Sequence, residues 1–326
     1  MPEITLVEAV NLALAHEMAA DERVVVLGED VGVNGGVFRA TVGLQEKFGA
    51  ERVLDTPLAE NLISGIAVGM AAQGLKPVAE IQFMGFIYPC IDQIINHAAR
   101  LRNRTRGRIT VPMVLRAPFG GGIRAPEHHS ESTEALFAHM PGLRVVIPSS
   151  PARAYGLLLA AIRDPDPVVF LEPKRIYRLT RQEVNDDGEA LPLDTCFILR
   201  EGTDVTLVTW GAMTHETLQA AERLEQEGVS CEVIDVATLK PLDSATILTS
   251  LEKTGRCVIV HEAARSGGLG AEIAAVVAEK GLLSLMAPVQ RVTGYDTIMP
   301  LIRLEKHYMP SVERVVAGVR KALEFA

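Results

Sequence analysis

Several features are scarce or missing in this 326-residue chain, and each absence narrows what it does. An excess of positive charge is missing: 32 Lys and Arg against 41 Asp and Glu leave a net charge of −9. Nucleic-acid binding needs a basic face, so that class is excluded, and nothing draws the chain to an anionic membrane surface. No apolar run approaches the ~20 residues of a membrane-spanning helix. The N-terminus carries Glu3 and Glu8 and lacks the basic region of a secretory signal, so a cytoplasmic protein with no membrane partner is expected. Cysteine is sparse, and Cys90, Cys196, Cys231 and Cys257 form no C-x-x-C pair. That argues against a zinc site or redox dithiol. Apolar neighbours such as Val258 and Ile259 predict buried, reduced thiols instead.

Nucleotide signatures are missing too. No G-x-x-x-x-G-K-[ST] occurs, and Ser266–Gly270 opens into G-x-G-x-x-I without the acid that a ribose needs after the next strand. These glycines read as a tight turn. One local basic cluster is present at Arg100, Arg102, Arg104, Arg106 and Arg108. It reads either as a solvated helix end or as a contact for an acidic partner.

With 48% hydrophobic and 22% charged residues, the balance is that of an ordinary globular protein, long enough for two domains. Val7, Val10, Leu14 and Met18 recur at helical spacing between Thr5 and Ala20. Short apolar strands then alternate with helices: Val24 to Leu27, Pro77 to Phe83, Val111 to Ala117 (broken at Pro118), Leu143 to Ile147 and Pro167 to Glu172. Continuous apolar strands between helices indicate a parallel sheet buried on both faces. From Arg178 to Gly202 the pattern fades into charged and turn-forming residues, and a second alternating unit follows. The expectation is an α/β fold of two parallel-sheet domains, 1–178 and 203–326, joined by a linker at 179–202.

Three segments carry chemistry. In Asp55-Thr56-Pro57-Leu58-Ala59-Glu60 an acid stands where an extended segment meets a helix rich in Gly and Ala, and Asp55, Thr56 and Pro57 read as its start signal. Glu60 there either handles a proton away from bulk water or merely complements the helix dipole. Glu80 to Phe86 places aromatic and amide groups at a strand's end, able to line a flat heterocycle or simply to pack. Gly120-Gly121-Gly122 leads to His128 and His129 in a loop after a strand, where ligands commonly bind. With no third ligand nearby, zinc is disfavoured, and a histidine there either donates to a reacting oxygen or caps backbone groups.

These segments recur in order with Asp166 to Lys174, Val205 to Gly211, Glu232 to Asp235 and Gly294-Tyr295-Asp296-Thr297. Taken together, the whole chain resembles the β subunit of the E1 component of 2-oxo acid dehydrogenase complexes. The resemblance implies a transketolase-like pyrimidine-binding domain followed by a transketolase C-terminal domain. It implies an α2β2 heterotetramer, active only with an α subunit, that oxidatively decarboxylates a 2-oxo acid and acylates the lipoyl group of E2. Thiamine diphosphate is then shared with the α subunit, which also holds Mg2+. By position, Glu60 matches the glutamate that bonds the cofactor's pyrimidine nitrogen, Leu58, Gln82 and Phe86 match residues around that ring, and His129 matches the active-site histidine. Met113, Ala161, Ile162, Asp164 and Asp166 fall where some members bind K+, largely through carbonyls. The chain has no G-D-G, the motif that holds the diphosphate and its Mg2+, and so reads as half of an active site. His129 to Ser132, Glu172 to Arg175 and Gly294 to Thr297 look closer to branched-chain members, and pyruvate-specific members are near relatives, so the expected substrate is a branched-chain 2-oxo acid or pyruvate. An acetoin-specific E1 β and a self-contained transketolase-type enzyme are the alternatives.

Overall fold

The computed structural model describes residues 3–325, which fall into two compact α/β units. The first runs through Phe119 and resumes at Leu136–Leu193; the second comprises Gly120–Ala135 and Asp194 onward. The segment expected as a linker is therefore shared, its first part packing with one unit and its last with the other.

In the first unit, parallel strands β1 (Val24–Gly28), β2 (Val53–Asp55), β3 (Lys76–Glu80), β4 (Val114–Phe119), β5 (Arg144–Val146) and β6 (Val168–Pro173) lie in the order β5-β6-β4-β3-β1-β2. Every residue of β1, β4 and β6 is buried, as a sheet covered on both faces requires. Helix α1 (Leu6–Ala20) is closed at its start by a capping box between Thr5 and Glu8 and packs along α3 (Pro151–Arg163). Helix α2 (Glu60–Ala72) packs on β3. The segment read as featureless contains a short strand, Gln182–Glu183, which pairs antiparallel with Glu3–Ile4.

One sequence expectation fails here. Strand β4 continues through Pro118, which is paired with Glu172 of β6, instead of breaking there. The sequence also reads Pro89 to Arg102 as helical, and it is, though as a 3-10 turn (Tyr88–Cys90), a π-helical stretch (Gln93–Ala98) and a short α-helix (Ala99–Arg104).

The second unit holds β7 (Phe197–Arg200), β8 (Val205–Thr209), β9 (Cys231–Asp235), β10 (Cys257–Val260) and β11 (Gln290–Val292) in the order β11-β10-β8-β9-β7. All pairings are parallel except β7 with β9, so this sheet is mixed, with an antiparallel edge the sequence reading did not anticipate. Helices α4 (Met213–Glu225), α5 (Ser244–Thr254), α6 (Leu269–Lys280), α7 (Ile302–Tyr308) and α8 (Val312–Leu323) complete it. The four cysteines are buried and free. Burial pushes the thiols of Cys90, Cys231 and Cys257 up to about 12. No helix among the described residues is long and apolar enough to cross a membrane.

Candidate functional site

Gly28, Asp55 and Glu80 stand opposite one another in register, so the chain leaves β1, β2 and β3 along one edge of the sheet. That is the carboxyl-terminal edge, where open α/β sheets bind their ligands. A Cβ on Gly28 would lie 2.7 Å from the Glu80 carbonyl, so this edge closes only around a glycine. Glu29 follows the first strand, Leu58 and Glu60 the second, and Gln82 and Phe86 the third. The fold thus brings four of the expected site residues to one edge.

Glu60 is the first residue of α2, where a carboxylate faces the positive end of the helix dipole. Its carbonyl accepts from Ser64 Oγ at 3.0 Å and Cys90 Sγ at 3.2 Å, which fixes the helix start. The cap itself departs from the sequence reading. Ala59 is the N-cap, without a side-chain bond, while Asp55 accepts from the Gly32 N–H at 2.7 Å and holds the loop after β1. Leu58 is 80% exposed, a large apolar side chain left open at the mouth. Gln82 Nε2 points to Asp30 Oδ2 at 3.5 Å. The Phe86 ring meets Phe83 edge-on, centroids 5.9 Å apart, and Phe83 meets Phe38 at 5.4 Å. These rings, turned edge to face, form an apolar aromatic wall.

Glu29 is a site residue that the sequence reading missed. It is buried, and its Oε1 has no hydrogen-bond partner among the described residues. Burial, then the neighbouring charge of Glu60, then those of Asp30 and Glu80, raise its carboxyl above the usual range. Two acids of which one resists ionisation make a place to keep a proton. The signal was a carboxylate immediately after an apolar strand, but a single acid at that position is common.

Beneath the edge, Arg116 of β4 is fully buried and bonds Glu172 of β6 twice, at 2.7 and 2.8 Å, and Glu80 of β3 once. The Tyr177 hydroxyl also donates to Glu172, and its ring packs on Phe38 at 5.2 Å. The ion cluster therefore ties three strands and the aromatic wall to one frame.

His129 lies in the second unit, at the end of a 3-10 turn, Glu127–His129, and is half-buried. Its N–H donates to the Pro126 carbonyl at 2.9 Å. The glycine loop before it is not an open cradle for an anion. The Gly121 N–H points to Glu262 at 3.3 Å, and the Gly122 N–H donates to Glu305 at 2.9 Å. Protein carboxylates already fill the positions a phosphate would take.

Of the residues expected around K+, Asp164 pairs with Arg144 at 3.0 Å and Asp166 pairs with Arg102. The Met113 carbonyl accepts the Val168 N–H at 3.0 Å. Both acids are thus engaged by arginines, and no cluster of three or more His, Cys, Asp or Glu able to hold a metal occurs among the described residues.

Residues 2–180 match the transketolase pyrimidine-binding domain family, and residues 194–315 match the transketolase C-terminal domain family. The chain is 54% identical to the pyruvate dehydrogenase E1 component subunit beta of Acholeplasma laidlawii, covering 98% of each. It is 50% identical to the protein of that name from Bacillus subtilis (strain 168), over the whole length of both. Among solved structures it resembles a split-gene transketolase, described as an inactive beta4 tetramer, with a TM-score of 0.82, 27% identity and 99% coverage of each chain.

Proposed function

This chain belongs to the E1 β-subunit family, and on that premise we propose that it forms the β half of a thiamine-diphosphate-dependent pyruvate dehydrogenase E1. The observation that carries the reading is the edge where Glu29, Glu60, Gln82 and Phe86 converge, an acid pair against an aromatic wall. These residues fit the cofactor's pyrimidine ring: the Phe86 ring for its face, and acids for its ring nitrogen. When bound, thiamine diphosphate supplies the carbon nucleophile for the 2-oxo carbon and takes up the electron pair released with CO2. Glu60 would hold a proton against the pyrimidine nitrogen, with the weakly acidic Glu29 behind it. Leu58, Gln82 and Phe86 would fix the ring and exclude water. His129 would donate a proton as the acyl group passes to the lipoyl group of E2.

An α partner, in an α2β2 assembly, would contribute the diphosphate and Mg2+ site. Two features support this: the chain has no G-D-G, and its glycine loop is filled by its own carboxylates. Helix α2 also leaves Leu62 and Ile66 exposed, with no atom within 4 Å of a Cβ built on Gly69, a surface another helix could approach closely. The relatives' names favour pyruvate over the branched-chain substrates suggested by short motifs. The carbonyls of Met113, Ala161, Ile162, Asp164 and Asp166 are proposed to take K+, and the buried thiols suit a cytoplasmic setting.

The test is reconstitution with the E1 α subunit and E2, comparing pyruvate with 3-methyl-2-oxobutanoate. Glu60→Ala should lower turnover on the order of 10²-fold, as loss of a proton-handling group does. Near-normal decarboxylation by that variant would sink the assignment. Tight Mg2+-dependent cofactor binding by the chain alone would favour a self-contained thiamine enzyme.

A further inference from the structure

The loop that carries His129 is tied down by two carboxylates to which neither the sequence reading nor the proposed chemistry gives a role. Its base is closed by the Gly120 N–H donating to the Glu131 carbonyl at 2.9 Å. Inside, Ser130 Oγ donates to the Ala125 carbonyl at 3.3 Å, and the His129 N–H to Pro126 at 2.9 Å. The outgoing limb, Gly120 to Arg124, is thus bonded to the limb that bears His129 at its base, and it leads directly into Ala125 and Pro126, whose carbonyls receive Ser130 and His129.

That outgoing limb has its own anchors, both within the second unit. Glu305 of α7 is buried and accepts from the Gly122 N–H at 2.9 Å and the Arg124 N–H at 3.1 Å. Glu262, just beyond β10, is buried and receives the Gly121 N–H at 3.3 Å. A Cβ on Gly120, whose φ is +85°, would collide with the Glu262 carboxylate. Arg124 sits at φ +59°, a conformation unfavourable for an arginine unless its surroundings impose it. Charged acceptors on backbone N–H groups make strong bonds. Here they bridge alternate amides, Gly122 and Arg124, of one turn.

We propose that Glu305, assisted by Glu262, is a positioning residue that holds the Gly120–Arg124 turn and through it sets the place of His129. The inference rests on the proposed role of His129 in acyl transfer. Removing the Glu305 carboxylate frees two amides and relaxes the limb that leads into Ala125 and Pro126, whose carbonyls hold Ser130 and the His129 amide. Decarboxylation, which the proposal does not route through His129, should be little changed.

Glu305→Ala, Glu305→Gln and His129→Ala, each reconstituted with the E1 α subunit, test it by two readouts. The first is peptide-resolved hydrogen exchange across residues 120–131. The second is the rate of lipoyl acylation set against decarboxylation with an artificial electron acceptor. Glu305→Ala should speed exchange roughly ten-fold or more, the scale of a lost charged hydrogen bond, and slow acylation by a similar factor while decarboxylation stays within about two-fold. Glu305→Gln keeps an acceptor oxygen and should recover most of both. Unchanged exchange in Glu305→Ala overturns the clamp, and an equal loss of both activities shows a global effect and overturns it too. If His129→Ala acylates normally, the role of His129 fails, and the exchange readout alone decides whether Glu305 holds the loop.

Discussion

Trp210 lies flat on His261, the ring centroids 5.0 Å apart and the planes 12° from parallel. Both imidazole nitrogens are buried without a hydrogen-bond partner among the described residues, so the stack is an apolar use of a polar ring. On the far side the indole N–H donates to Glu134 Oε1 at 3.2 Å. The layer Glu134, Trp210, His261 is accordingly built from groups held uncharged, under the loop that Glu262 and Glu305 restrain.

Burial, with the charges of Arg291 and Arg265 adding to it, lowers the His261 pKa to about 4. The ring is therefore neutral in the folded chain from about pH 5 to 8. Trp210 is the only tryptophan, so its fluorescence reports this layer alone. Imidazolium quenches a stacked indole, and below the Glu134 titration emission should stay flat from about pH 6.5 to 5 before falling near the lowered value. A sigmoid near the ordinary histidine value would show that the ring is open to solvent.

Glu134 behaves in the opposite sense. Burial above all raises its pKa to about 8, with the Glu262 charge adding to the shift. Between its ordinary value near 4.5 and about 8 the folded chain binds the extra proton, so stability falls as pH rises through that window. Glu134→Gln keeps an acceptor for the indole and cannot ionise. In urea titrations it should flatten the decline between pH 6.5 and 8 by on the order of 1 kcal/mol or more. An unchanged slope in the variant would place the titration elsewhere.

Much of this architecture was legible because buried parallel strands are continuous apolar runs and α1 shows its helical spacing plainly. Glu60 was placed at a helix start, and it is the first residue of α2. The misses have local causes. Pro118 stays inside β4 because β3 ends at Glu80, opposite Arg116, so the side on which residue 118 would need an N–H faces no strand. Strand β7 and the Gln182–Glu183 pair are short and rest on backbone pairing, which leaves no periodic mark. Glu29, Glu262 and Glu305 became meaningful only through what folds around them, since burial and partner amides are set by residues distant in sequence. Asp55 misled for a related reason: its carboxylate serves Gly32 rather than the helix that follows.

The Arg116 cluster predicts a large stability effect. Arg116→Met leaves Glu80 and Glu172 buried without their cation. Orphaning a buried charge costs about 3–5 kcal/mol, and chemical denaturation should read a loss of that size near neutral pH. The loss should shrink in acid, where the two carboxyls can take up protons. A pH-independent loss would assign the effect to packing instead.

The charge of Glu60 should be felt at Glu29. The Glu60 charge is the second cause, after burial, of the raised Glu29 pKa. Glu60→Gln removes that charge at nearly constant shape, so the Glu29 carboxyl should ionise at lower pH than in the parent chain while remaining above an ordinary glutamate. Carbon-13 NMR of labelled glutamate side chains can follow it. Stability falls with rising pH wherever the folded chain holds the Glu29 proton and the unfolded chain does not. The variant should therefore lose less stability than the parent as pH rises from the ordinary carboxylate value towards neutrality. If Glu29 titrates identically in both, the two acids are not electrostatically coupled and Glu29 has no part in holding the proton beside Glu60.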